Sequence, residues 1–237
     1  MSLTYATFVS SLANMLVIPA TDPNYLQFIS NVIDDSEQSL YRALDLLNCI
    51  TRDQGGNLTA NSRTFNLPQT NGRFVGTESM NVFTPVGTTT NRNQLTPTTR
   101  EFIDGIYGNE AAAGSPSVPV YYAPITDQQF IVGPSPDAAY TMEVLGWIRP
   151  TPLSASNTTT YLTLYLPDLF LAESLIFGYG YLKDFGAATD DPQGSPTWVS
   201  HYKMLFDSAN TEEQRKRYAS QAWSPKSPAP LATPPRA

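Results

Sequence analysis

At 237 residues the chain is long enough to bury a core without disulfide or metal staples, as one large domain or two small ones. Hydrophobic residues make up 41% of it and charged residues only 15%, with 20 Pro, which suits strands, turns and an extended segment better than a compact helical enzyme. A formal charge of −7 argues against the basic surface with which nucleic-acid binders release counterions, while leaving room for an acidic wall to which passing DNA does not adhere.

The apolar stretch within residues 1–19 lacks a basic leader and is interrupted by Ser10, Ser11 and Asn14, so it reads as an amphipathic helix rather than a signal peptide. In the segment Thr4 to Leu16, Tyr5, Phe8, Val9, Leu12 and Leu16 share one face, with Thr4 as cap. Asp22-Pro23 opens a second, longer helix of about seven turns along Leu26, Ile29, Ile33, Leu40, Leu44 and Leu47. Its other face carries Asp34, Asp35, Glu37, Arg42 and Asp45. Of these, Asp34, Asp35 and Glu37 are read as an acidic face turned to solvent, a neighbouring subunit or a DNA lumen. The single cysteine, Cys49, forms no internal disulfide and is expected as a small buried hydrophobe.

After Arg52 the period changes from helical to two. Residues Asp53 to Asn57 read as a turn cluster. Strands are expected at Arg63 to Leu67, Arg73 to Gly76, Ser79 to Val86, Val118 to Ala123, Phe130 to Val132 and Tyr140 to Arg149, with one short helix at Thr98 to Tyr107. In the last strand Tyr140, Met142, Val144, Gly146 and Ile148 alternate with Thr141, Glu143, Leu145 and Trp147, which separates an inner from an outer face. The sequons at Asn57 and Asn157 are read as turn chemistry.

Helical spacing returns at Pro167, where Leu169 to Phe185 form a helix apolar almost all round, one that must be covered by its own chain or by neighbouring copies. Ser195-Pro196 opens another helix along Trp198, Tyr202, Leu205 and Phe206. Asn210 to Glu213 has capping-box form and is expected to start a further helix, Gln214 to Trp223. Residues 224–237 contain five prolines and only two charges, Lys226 and Arg236. They form an extended arm, reaching about 40 Å at polyproline rise. The expected fold is α+β: a helical bundle built from residues 1–52 and 153–223, an inserted β-rich subdomain at 53–152, and the Pro-rich arm.

Catalytic chemistry finds little purchase. His201 and Cys49 alone do not make a zinc or iron site, and no nucleophile elbow accompanies His201, whose spacing among Trp198, Tyr202 and Leu205 makes it structural. No phosphate loop or dinucleotide fingerprint occurs. Gly178 and Gly180 sit inside an apolar helix, where small residues allow close packing. The pairs Asp34-Asp35 and Asp190-Asp191 are adjacent in sequence rather than opposed across a cleft, so they lack glycosidase geometry. The tyrosines 121, 122, 161 and 165, without interleaved basic residues, read as packing rather than base stacking. No enzyme activity and no cofactor are expected.

Three stretches carry a resemblance: Ser36 to Leu47, Gly133 to Val144, and Arg149 to Leu153 leading to Leu166-Pro167-Asp168-Leu169. Their order over residues 20–220 resembles the head-to-tail adaptor (connector, neck) proteins of tailed bacteriophages. The resemblance implies a structural protein of the virion, assembled from the host cytoplasm as a dodecameric ring beneath the portal and enclosing the channel for double-stranded DNA. It implies partners in further copies, in the portal and in neck, stopper or tail proteins, with no membrane. It also implies that the arm docks on the portal, through Pro225, Lys226, Pro228, Pro230, Leu231, Pro234, Pro235 and Arg236. Tubular tail proteins of short-tailed phages share a similar fold and stand as the alternative layer. A carbohydrate-binding tail module on the β region, with tyrosines and tryptophans as platforms, is the reading from another class, and long flanking helices count against it.

Overall fold

The computed structural model describes residues 3–108, 116–182 and 197–220, and within them the chain is mixed α+β, with six α-helices and two four-stranded sheets. It divides into two compact units. One draws on the chain up to Leu47 and from Pro152 onward, the other is Asn48–Thr151.

In the helical unit, α1 (Tyr5–Met15) starts at Thr4 with a reciprocal cap: the Thr4 backbone N–H donates to Thr7 Oγ1 at 2.7 Å, and the Thr7 N–H donates to Thr4 Oγ1 at 3.4 Å. Helix α2 (Pro23–Ala43) starts at Asp22, whose carboxylate accepts the N–H groups of Asn24 and Tyr25 at 2.7 and 3.1 Å. The helix stops about a turn short of Leu47. Beyond it the backbone is claimed by side chains of α6 (Trp198–Ser220): Glu213 accepts the N–H of Leu47 at 3.1 Å, and Arg217 pairs with Asp45. A 3-10 turn, Leu47–Cys49, follows, with Cys49 buried.

Helix α4 (Tyr161–Tyr165), not anticipated from the sequence, leads directly into α5 (Pro167–Leu182). Helices α1, α2, α4 and α6 all pack on α5. Phe8 stacks on Phe170 with ring centroids 4.4 Å apart. Gly178 allows the approach of α1, since a Cβ there would stand 3.0 Å from a Leu16 methyl carbon. The all-round apolar character of α5 is thus satisfied largely within the chain, and is not by itself a demand for neighbouring copies. The two helices expected at 195–223 are one within the described residues. The capping-box pattern is overridden because Thr211 Oγ1 donates back to the Asp207 carbonyl at 2.8 Å and Glu213 turns inward.

The second unit holds β1 (Ile50–Asn57), β2 (Thr64–Asn66), β3 (Arg73–Thr84), β4 (Asn91–Gln94), β5 (Thr96–Pro97), α3 (Arg100–Tyr107), β6 (Tyr121–Pro124), β7 (Gln129–Gly133) and β8 (Thr141–Arg149). The first sheet runs β1-β8-β3-β4, all antiparallel. The second runs β2-β7-β6-β5, with β5 parallel to β6. One core joins them: Met80, Val82, Met142, Val144 and Ile148 from the first sheet meet Phe65, Tyr122, Phe130 and Val132 from the second. Helix α3, capped by Thr99, packs Ile103 on Ala123 and Ile131. The expected turn at Asp53 to Asn57 is a bulged part of β1. Gly56 is required there because a Cβ would lie 2.7 Å from the Phe65 ring, and Asp53 folds its carboxylate onto the Gly55 N–H at 2.7 Å.

Candidate functional site

The acidic face expected on α2 is divided by the fold. Asp34 is exposed. Asp35 is half-buried and accepts the Tyr181 hydroxyl at 3.0 Å. Glu37 does not belong to that face: it is buried, and its two carboxylate oxygens accept the Leu153 N–H at 3.1 and 3.3 Å. Helical periodicity places it one step toward the α2 core, and the chain returning at Leu153 supplies its donor. Burial pushes its pKa up to about 7; the Leu153 N–H and Thr160 oppose the rise and the charge of Asp34 adds to it.

Three more glutamates are buried, and each has a structural occupation. Glu173 on α5 is raised by burial, partly offset by hydrogen bonds from Ser39 and Tyr202, whose own pKa burial and Glu173 push up to about 12. Glu213 accepts from Leu47 and from Tyr161 at 3.1 Å and pairs with Lys216 at 2.7 Å. Burial would raise its pKa, yet Lys216 and the Leu47 N–H hold it below the ordinary range. His201 lies edge-on to Trp198, 5.8 Å between centroids. Among the described residues no group of three or more His, Cys, Asp or Glu is placed to hold a metal ion, and no helix is long and apolar enough to cross a membrane.

The fourth glutamate, Glu143 on β8, anchors the outer face of the first sheet. Alternation sends Met142, Val144 and Ile148 into the core and Glu143, Leu145, Trp147 and Arg149 to the other side. Glu143 is fully buried beneath its partners: Arg92 from β4 at 2.9 Å, Arg52 from β1 at 3.7 Å, Gln54 at 2.8 Å and Asn81 at 3.0 Å. Further along, Arg73 and Arg149 face each other across the β3–β8 pair, and Arg73 binds Asp127 at 2.5 Å. These residues, with Phe74 and Val75, line a cleft of about 280 Å³. Alternation put Glu143, Leu145 and Trp147 on one side of β8, but the arginines join them only because four strands and a turn come together.

The helical unit leaves apolar side chains in water: Val17 is 90% exposed, Tyr165 67%, and Met15, Leu164, Met204 and Tyr218 are also exposed. Met15 and Tyr165 line an open groove of about 560 Å³ with Leu3, Pro167 and Leu171. Residues Asp190 and Asp191, and every residue expected to form the portal-binding arm, lie outside the described residues.

Among the described residues the candidate site thus consists of buried glutamates with structural partners, an arginine-bearing sheet face and exposed apolar side chains. The family model for the SU10 adaptor protein matches residues 3–231. The chain belongs to the SU10 adaptor protein family. Membership over nearly the whole chain agrees with a bacteriophage adaptor, a structural, non-enzymatic protein of the virion. No curated protein sequence matches this SU10 adaptor family member.

Proposed function

We propose that this chain is the head-to-tail adaptor of a tailed bacteriophage, forming a ring of about twelve copies between the portal and the next layer of neck or tail. The observation that carries the reading is the adaptor-family match across residues 3–231. Physical support comes from the exposed apolar side chains of the helical unit, which a lone monomer leaves in water and a closed ring covers with head-to-tail contacts. The Pro-rich arm, residues 224–237, reaches the portal through Pro225, Lys226, Pro228, Pro230, Leu231, Pro234, Pro235 and Arg236. Its stiffness lowers the conformational entropy lost on docking. The net charge of −7 suits a lumen past which DNA slides without adhering, and Asp34 and Asp35 remain candidates for that wall or for a subunit contact.

Native mass spectrometry and electron microscopy of the full chain, alone and with portal, test the reading. Rings that bind portal, and that lose the portal when residues 224–237 are deleted, are expected. Monomers only, even with portal present, overturn it.

A further inference from the structure

Four of the fourteen basic residues of this acidic chain share one sheet face. Outside Asn48–Thr151 lie thirteen acidic and eight basic residues; within it, eight and six. Four of those six arginines, Arg52, Arg73, Arg92 and Arg149, stand on strands of the first sheet on the side away from the core. The carboxylates paired with them are Glu143 and Asp127, and Glu78 on β3 is an exposed acid of the same sheet.

Arg149 is the residue that breaks the balance. Across the strand pair it meets Arg73, a like charge, and Arg73 is already satisfied by Asp127. None of the described residues forms an ion pair with Arg149. It lines the cleft of about 280 Å³ beside Val75, which is 65% exposed. Two guanidiniums opposed across an antiparallel pair repel unless an anion lies between or beside them. One carboxylate is in place, and the cleft has room for a second.

We propose that this cleft and the arginine-bearing sheet face around it receive an acidic segment from the helical unit of a neighbouring copy. The inference rests on the ring reading and names the contact within it. Two features favour a protein carboxylate over a DNA phosphate. The face mixes arginines with half-buried Trp147 and Leu145 and exposed Val75, the arginine, aromatic and aliphatic composition that protein interfaces concentrate. Three of its four guanidiniums are also held by carboxylates, which leaves Arg149 to take a single further carboxylate rather than a run of phosphates. The acidic excess of the helical unit, with exposed Asp34 free of ion pairs among the described residues, supplies complementary charge in a head-to-tail arrangement.

The test compares the full chain with R149E and R149K by sedimentation velocity over a concentration series, with thermal unfolding as a check that each variant is folded. Because Arg149 has no ion pair to lose among the described residues, R149E is expected to unfold as wild type does. It should associate about tenfold more weakly or worse, while R149K stays close to wild type. Wild type that associates and an R149E that associates equally well overturn this contact and leave the ring intact. Wild type that remains monomeric, even with portal present, overturns the ring reading and this inference together. Loss of duplex-DNA binding in R149E with self-association unchanged assigns the face to phosphate and also overturns the proposal.

Discussion

Glu37 on α2 is tied to the backbone N–H of Leu153, a residue 116 positions further along the chain, on the far side of the inserted β unit. The bond locks the returning chain to the helix before the insertion. It does so with a carboxylate that burial makes reluctant to ionise.

That reluctance sets a pH dependence. With a folded pKa of about 7 against an ordinary 4.5, the folded state holds the proton more tightly than the unfolded chain. The stabilisation is complete below pH 4.5 and is lost as pH rises through 7. Melting temperature should therefore fall between pH 5 and 8, and E37Q, which keeps an acceptor for Leu153 without a charge, should flatten most of that slope. The gain at pH 8 is about 3 kcal/mol, the rise from 4.5 to about 7 taken at roughly 1.4 kcal/mol per pKa unit. Glu173, raised in the same direction, accounts for the slope that remains. A slope identical in wild type and E37Q would refute the assignment.

Glu213 acts with the opposite sign. Its folded pKa lies below the ordinary value, so its contribution is present at neutral pH and fades as acid protonates it. E213A strands the Leu47 N–H, and urea unfolding at pH 7 should show a loss of about 2 kcal/mol, the desolvation penalty of an unpaired buried group. The same variant should be less penalised at low pH.

Glu143 holds four partners from β1, β3 and β4. Its removal in E143A leaves Asn81, itself buried, without that acceptor, and should lower the urea midpoint by an amount equivalent to about 2–3 kcal/mol. Arg52 and Arg92, with side chains 52% and 46% exposed, regain water and limit the damage. E143Q, which retains an acceptor oxygen, should lose less.

Two glycines of α5 make a contrasting pair. A Cβ at Gly180 meets nothing within 4 Å, so G180A should stabilise by about 0.5–1 kcal/mol through helix propensity alone. At Gly178 the same methyl presses on Leu16 at 3.0 and 3.3 Å, which should cancel or reverse the gain. Differential scanning calorimetry of the two variants distinguishes them.

Features encoded by neighbouring residues were readable in the sequence. The caps at Thr4 and Asp22 and the inner and outer faces of β8 all follow from local chemistry. Features decided by distant partners were not. Asp53 to Asn57 has the composition of a turn and becomes strand because β8 and Phe65 are there to receive it. Asn210 to Glu213 has the composition of a helix start and stays mid-helix because Glu213 is drawn to Leu47. Glu37 looks like a surface acid until Leu153 arrives, and the arginine face exists only once four strands are laid side by side.

The pairing of β1 with β8, Ile50 against Trp147, brings the first and last strands of the second unit to within the roughly 5 Å of a strand ladder. A segment of about a hundred residues thus begins and ends at nearly one point. Lengthening, trimming or exchanging it adds little to the closure entropy of the flanking helices.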